Sequence, residues 1–212
     1  DLRMSRGLGD VYKRQFTHNE GAVNLPDSNI TKRALAQTLK ELMAHTPFSK
    51  ISVGDLCTAC GMSRKSFYYH FRDKYDLVNW IFYTEFITEV QTNSYDTAWD
   101  FLEDICAYFY RERAFYQKAM QIQGQNSFCE YFSEVMEPFI QTFLDSIFHA
   151  EDGNDFSRVF LTDAFLVSLV RWLRGPHPVP PDVYLDSLKH LLIDLSRRIL
   201  LDFDPDISNV PQ

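Results

Sequence analysis

Between Ser52 and Lys74 the sequence is punctuated so closely that only two short helices joined by a tight turn fit it. Ser52-Val53-Gly54-Asp55 has capping-box spacing, a hydroxyl followed three residues later by a carboxylate, and opens a helix through Cys60. Gly61 tolerates the left-handed backbone of a tight stop, and Ser63 caps the next helix. Two short helices joined by a glycine-containing turn form a helix-turn-helix unit. Wound at about 100° per residue, the second helix puts Phe67 and Phe71 on one face and Lys65 with Tyr69 on the opposite one. Ser66 and His70 take one flank, Arg64 and Tyr68 the other, and no acid intervenes before Asp73. One apolar face and three faces rich in hydrogen-bond donors suit a helix laid against a polyanion.

The net charge of −8 argues against such a surface until its distribution is read. Residues 28–76 hold eight basic residues against four acids, a net of +4, residues 1–27 balance, and −12 remains from 77 onward. A basic module on an acidic body confines the electrostatic footprint to one place. Asp163 and Arg171 break the most apolar segment, so no membrane span is expected. No apolar leader is seen, and Cys57, Cys60, Cys106 and Cys129 form no disulfide framework, so the expected setting is cytoplasmic.

The rest of the chain reads as helix. Residues 1–27, with Gly7, Gly9, Gly21 and Pro26, are expected to be a disordered arm, and the segment from Gly7 to Gln15 resembles translated adapter sequence. A first helix is predicted from Ile30 to His45, capped by Asn29 or Thr31 and ended by Pro47. A fourth starts at Asp73, a fifth at Asp96 or Thr97, and a sixth reaches Gln123, stopped by Gly124. The seventh, Ser127 to His149, contains Pro138 and should bend there, and Gly153-Asn154-Asp155 ends it. The eighth, Phe156 to Arg174, is apolar nearly all round, and the ninth opens at Pro181. The expected fold is all-α: a three-helix helix-turn-helix domain over 28–76, then a larger helical bundle over 77–212. Surplus apolar surface at 156–174 and 181–203 predicts a homodimer through those helices, against the alternative of a monomeric bundle burying both.

The pattern Ser52-Val53-x-Asp55-Leu56-x-x-x-Cys60-Gly61-Met62-Ser63-x-x-x-Phe67-Tyr68-Tyr69-His70-Phe71-x-Asp73-Lys74 resembles the DNA-binding domain of TetR-type transcriptional regulators. Residues 64–71, Tyr75-Asp76-Leu77-x-x-Trp80-Ile81 and Arg171-Trp172-Leu173 resemble a Firmicutes-type subgroup that includes activators of dihydroxyacetone kinase genes. The resemblance implies double-stranded DNA with a palindromic operator as partner, a small-molecule or protein effector, and a repressing role. It places Ser52, Tyr68, Tyr69, His70 and Lys74 at phosphate-contacting positions, and all five carry suitable donors. Arg64, Lys65 and Ser66 fall in the first turn of the recognition helix, where Arg or Lys bridges guanine O6 and N7. Many family members have glycine where Lys65 stands, so the base-reading roles depart from the common pattern. An effector pocket is implied between the fourth and seventh helices, with Tyr83, Phe86, Tyr108, Phe128 and Tyr131 as lining candidates. Such a stripe at helical spacing is more often a plain core.

Cys57-Thr58-Ala59-Cys60 has the spacing of half a zinc site, but no second Cys or His pair completes it, and core packing is the expected role. No phosphate loop, metal-binding His pair or nucleophile elbow occurs, so neither catalysis nor a cofactor or metal is expected. The leading alternative function is a helical co-regulator acting through a protein partner without an operator of its own.

Overall fold

The computed structural model describes residues 26–92, 95, 97–123, 127–148 and 155–203. Helix α1 spans Pro26–His45. It starts four residues ahead of the expected Ile30, because a proline in the first turn loses no N–H bond and pre-sets φ. Asn29 and Thr31 therefore lie inside the helix and do not cap it, and the last two residues of the expected arm are helical. Leu35, Leu39 and Met43, four apart, are at most 1 % exposed and set α1 against its neighbours. A 3-10 turn, Phe48–Lys50, carries the chain to α2, Val53–Cys60. The capping box forms as expected: Ser52 Oγ accepts from the Asp55 N–H at 3.1 Å, and Asp55 Oδ2 accepts from the Ser52 N–H at 2.8 Å. Gly61 sits at φ 68° in the left-handed region. Ser63 then accepts from the Ser66 N–H at 3.1 Å and starts α3, Arg64–His70.

Helix α4, Lys74–Thr92, leads from this trio into the body. Asp73 Oδ1 takes the N–H groups of Tyr75 and Asp76 at 2.8 and 2.9 Å, the capping role expected of it. Helix α5, Ala98–Arg111, opens with a second capping box, Thr97 with Asp100. Helix α6, Arg113–Ala119, stops short of the expected Gln123, because the chain passes into single turns, Gln121 N–H to Lys118 O and Ile122 N–H to Ala119 O. Helix α7, Phe128–Phe148, runs through Pro138, and α8 is Asp155–Arg174. Between α4 and α7 the core is a cluster of rings. Phe82, fully buried, lies 5.2 Å from Phe86, 5.6 Å from Phe128 and 5.3 Å from Phe132. Contacts of this kind add about 0.5–1.5 kcal/mol each beyond area burial.

By packing, the chain divides into the residues through Pro178 and those from Val179. The second unit is α9, Pro181–Phe203, opened by the proline as expected. Its Val183, Leu191 and Ile193 are exposed. Among the described residues there is no strand, and no helix is long and apolar enough to cross a membrane. Residues 1–25 of the expected arm, and the expected stops at Gly124 and Gly153-Asn154, lie outside the described residues.

Candidate nucleic-acid interface

Helix α3 is held from below and open above. Phe67 and Phe71 are buried with ring centroids 5.8 Å apart, and Phe71 meets Trp80 of α4 edge-on at 5.8 Å. That anchor turns the opposite face outward. Tyr68 is 57 % and Tyr69 79 % exposed, and Arg64 and Lys65 are exposed beside them. A tyrosine left 79 % exposed on a well-packed module forfeits much of its burial free energy, so a hydroxyl and a ring face stand ready for a partner.

The structure brings most of the expected residues onto this side but gives several of them local duties. Ser66 is half-buried next to the Ser63 cap. His70 lies edge-on to Tyr69 at 5.0 Å. Burial and the nearby Lys32 charge hold its pKa below the usual histidine value, so at neutral pH the imidazole is uncharged and offers one N–H. The hydroxyl of Ser52 donates to Asp55 Oδ2 at 2.7 Å, and this bond is the largest cause of the lowered Asp55 pKa. Ser52 reaches a phosphate only by turning that proton away from Asp55. The Arg64 guanidinium folds back over α2, so close to Gly54 that a Cβ there would meet it at 2.6 Å. Arg64 thus lies over the start of α2, while Lys65, also exposed, follows it in the first turn of α3.

Lys74 is the largest addition to the sequence reading. Its Nζ donates to the carbonyls of Phe48 and Ile51, both at 2.7 Å, and lies 4.3 Å from the centre of the Phe48 ring. Two of three ammonium protons thus tie the 3-10 turn to the head of α4, and a third is left over. Burial lowers its pKa, against an opposing pull from Asp55. Two further lysines join the helix trio to the body. Lys40 pairs with Glu85 at 2.6 Å and Glu112 at 3.6 Å, while Lys118 of α6 donates to the Met43 and Ala44 carbonyls at the end of α1. Sequence reasoning missed this hub because no spacing rule connects residues 75 apart.

Of the candidate effector-pocket residues, Phe86, Tyr108 and Phe128 are buried in the ring cluster, and Tyr83 and Tyr131 are half-buried at its margin. Tyr108 and Tyr116 share a hydrogen bond at 2.8 Å within the core, and burial raises both pKa values. The four cysteines are free. Cys57 is buried, and Cys60 Sγ sits 3.1 Å from Thr38 Oγ1 on α1. Cys106 is buried and its thiol is pushed up to about 12, which leaves it inert. Among the described residues no group of His, Cys, Asp and Glu is arranged to hold a metal ion.

Comparison with known proteins agrees with this architecture. Residues 35–81 match the family model for bacterial regulatory proteins of the tetR family, and residues 96–194 match one for a transcriptional regulator C-terminal region. The HTH-type dhaKLM operon transcriptional activator DhaS of Lactococcus lactis subsp. lactis (strain IL1403) is 31% identical over 101 residues, 47% of this chain. That match spans about half, 54%, of the curated relative. Among solved structures, a dihydroxyacetone kinase operon activator DhaS superposes with a TM-score of 0.59 at 22% identity, over 79% of this chain and 97% of that one. A TetR transcriptional regulator from Streptococcus agalactiae 2603V gives 0.60 at 20% identity, over 76% and 93%. At those identities the two structures speak to the fold alone.

Proposed function

This chain belongs to the TetR family of bacterial regulatory proteins and is a transcriptional regulator rather than an enzyme, and on that premise we propose that residues 28–76 read a palindromic DNA operator while residues 77–212 dimerise and respond to an effector. The observation that carries the reading is the outward face of α3: Lys65, Tyr68 and Tyr69 exposed over buried Phe67 and Phe71, with no carboxylate in the helix. Lys65 is the base reader in this account, Tyr68, Tyr69 and His70 bind phosphates, and Lys74 contributes its remaining N–H. Ser52 and Arg64 approach the same strand from the start of α2, and Ser66 supports the first turn. Helix α8 exposes Phe156, Val159, Phe160 and Val167, with the two Phe rings stacked at 6.0 Å, which favours a homodimer through 156–174 and 181–203. A two-fold dimer sets two α3 helices at successive major-groove openings of a two-fold site. An effector or partner protein bound by the body shifts the spacing of these helices and thereby operator affinity. The setting is the bacterial cytoplasm.

Repression is the direction expected from sequence, whereas the Lactococcus relative is named as an activator. A reporter fused to the promoter of the neighbouring genes decides, because deleting the regulator raises expression under repression and lowers it under activation. DNA reading itself is tested by gel shift with the DNA upstream of the protein's own gene cluster. Saturable binding that competing random duplex does not remove is expected. Its absence, together with DNA-independent capture of a partner protein, favours the co-regulator reading instead.

A further inference from the structure

Below the interface, where the end of α1 meets the end of α6, lies a cleft of about 550 Å³. Its volume is in the range of small-molecule sites. On a chain of net charge −8, its lining is unusual: Lys118, His45, Ser49, Tyr75, Gln121 and Gln123 all present donors, and none of the described lining residues is an acid. The smaller pocket beside it, at Arg72, has Asp73, Asp76, Glu130 and Glu134 on its walls, so absence of acids is a property of this cleft and not of the surface around it. A water-exposed hollow that collects an ammonium, an imidazole, hydroxyls and amides without a carboxylate is complementary to an anion.

We propose that this cleft is a binding site for a small anion bearing phosphate or carboxylate groups, with Lys118 as its principal contact. In the free chain the Lys118 ammonium caps α1 through the Met43 and Ala44 carbonyls, both neutral acceptors. An anionic oxygen forms the stronger, charge-assisted bond and competes for the same protons. Ser49 and His45 stand on the α1 side of the cleft, Gln121 and Gln123 on the α6 side, so a bound anion bridges the helix trio and the body. Its occupancy therefore changes how firmly α6 holds the end of α1. Any consequence for DNA affinity rests on the DNA-reading assignment, whereas binding of the anion does not.

Inorganic pyrophosphate and, separately, citrate are titrated into the full-length protein by calorimetry at constant ionic strength without divalent metal, with glycerol as the neutral control. One saturable site per chain for either anion is expected, and no heat from glycerol; the stronger of the two identifies phosphate or carboxylate as the preferred group. Gln121→Glu places a carboxylate in the cleft at an exposed position and weakens binding about tenfold. Lys118→Met weakens it at least as much, and Lys65→Ala on α3 leaves it unchanged. No saturable binding of either anion overturns the proposal. So does binding that Gln121→Glu leaves intact, since the anion then sits elsewhere, on α3 if Lys65→Ala abolishes it. Because Gln121 is exposed, that variant keeps the test decisive even if Lys118→Met fails to fold.

Discussion

Two tyrosine pairs in this chain carry the same side chains to opposite ends. Tyr108 and Tyr116 are 3 % and 0 % exposed, and each satisfies the other's hydroxyl inside a wall of phenylalanines. Tyr68 and Tyr69 stand 57 % and 79 % exposed on a helix whose phenylalanines lie on its other side. Composition alone, with its 18 Phe and 11 Tyr, does not separate these cases. What separates them is what the fold packs against each ring, from the same helix and from distant parts of the chain. Around Tyr116, Phe115, Phe82, Phe109 and Phe128 close the shell; beside Tyr69 the edge of the His70 ring lies at 5.0 Å, and the residue stays 79 % exposed. The first pair is structural. The second is exposed, and the proposed reading gives it to DNA phosphates.

The contrast is broken most sharply by removing the ring at the centre of the core. Phe82→Ala is expected to cost about 3–5 kcal/mol in chemical denaturation, since the rings around it cannot close the cavity. Next comes Lys74→Met, which removes the ammonium from the Ile51 carbonyl and leaves the Phe48 carbonyl with the Ile51 N–H. It is expected to lower stability by about 2 kcal/mol and to weaken DNA binding uniformly across sequences, as a shift in denaturation midpoint and an anisotropy titration will show. Tyr116→Phe strands the buried Tyr108 hydroxyl and is expected to cost about 1–2 kcal/mol. Tyr69→Phe, the same deletion of one hydroxyl on the exposed pair, is expected to stay within about 0.5 kcal/mol in stability while reducing DNA affinity. If the two Tyr→Phe changes cost stability equally, the division between the pairs is wrong. The smallest effect is one of pH. The hydrogen bonds from Ser52 hold the Asp55 pKa below the usual aspartate value, so the capping box adds stability at neutral pH that is lost as pH falls through the lowered value. Asp55→Asn should flatten that part of the acid-denaturation profile.

What was legible in the sequence was local. Ser52 with Asp55, Gly61, Ser63, Asp73 and Thr97 each act through hydrogen bonds to residues two to four away or through their own φ, and residue type at fixed spacing encodes such contacts directly. The Phe67–Phe71 face was legible for the same reason, since a helix puts i and i+4 together. The duties of lysines were not. Lys74 reaches carbonyls 23 and 26 residues back, and Lys118 reaches 74 and 75, and any carbonyl will serve as acceptor, so no residue type at the far end marks the partner. The fold of Arg64 back over Gly54 was invisible for a similar reason, because an absent Cβ leaves room without naming its occupant. The start of α1 was misplaced because Pro26 reads as a breaker in isolation and as a first-turn residue only when the helix behind it is known.

The central claim is that the exposed ridge of α3 reads base sequence and that Lys65 is its reader. Its most direct test is repeated selection from a random duplex pool by the wild-type protein and by Lys65→Ala, followed by sequencing. The account predicts that the wild type enriches a two-fold symmetric site and that Lys65→Ala, with unchanged thermal stability, relaxes preference at one base pair in each half-site, a loss of about 1–3 kcal/mol in discrimination. Enrichment of the same site with the same preference by both proteins, or of no site by the wild type, would contradict it.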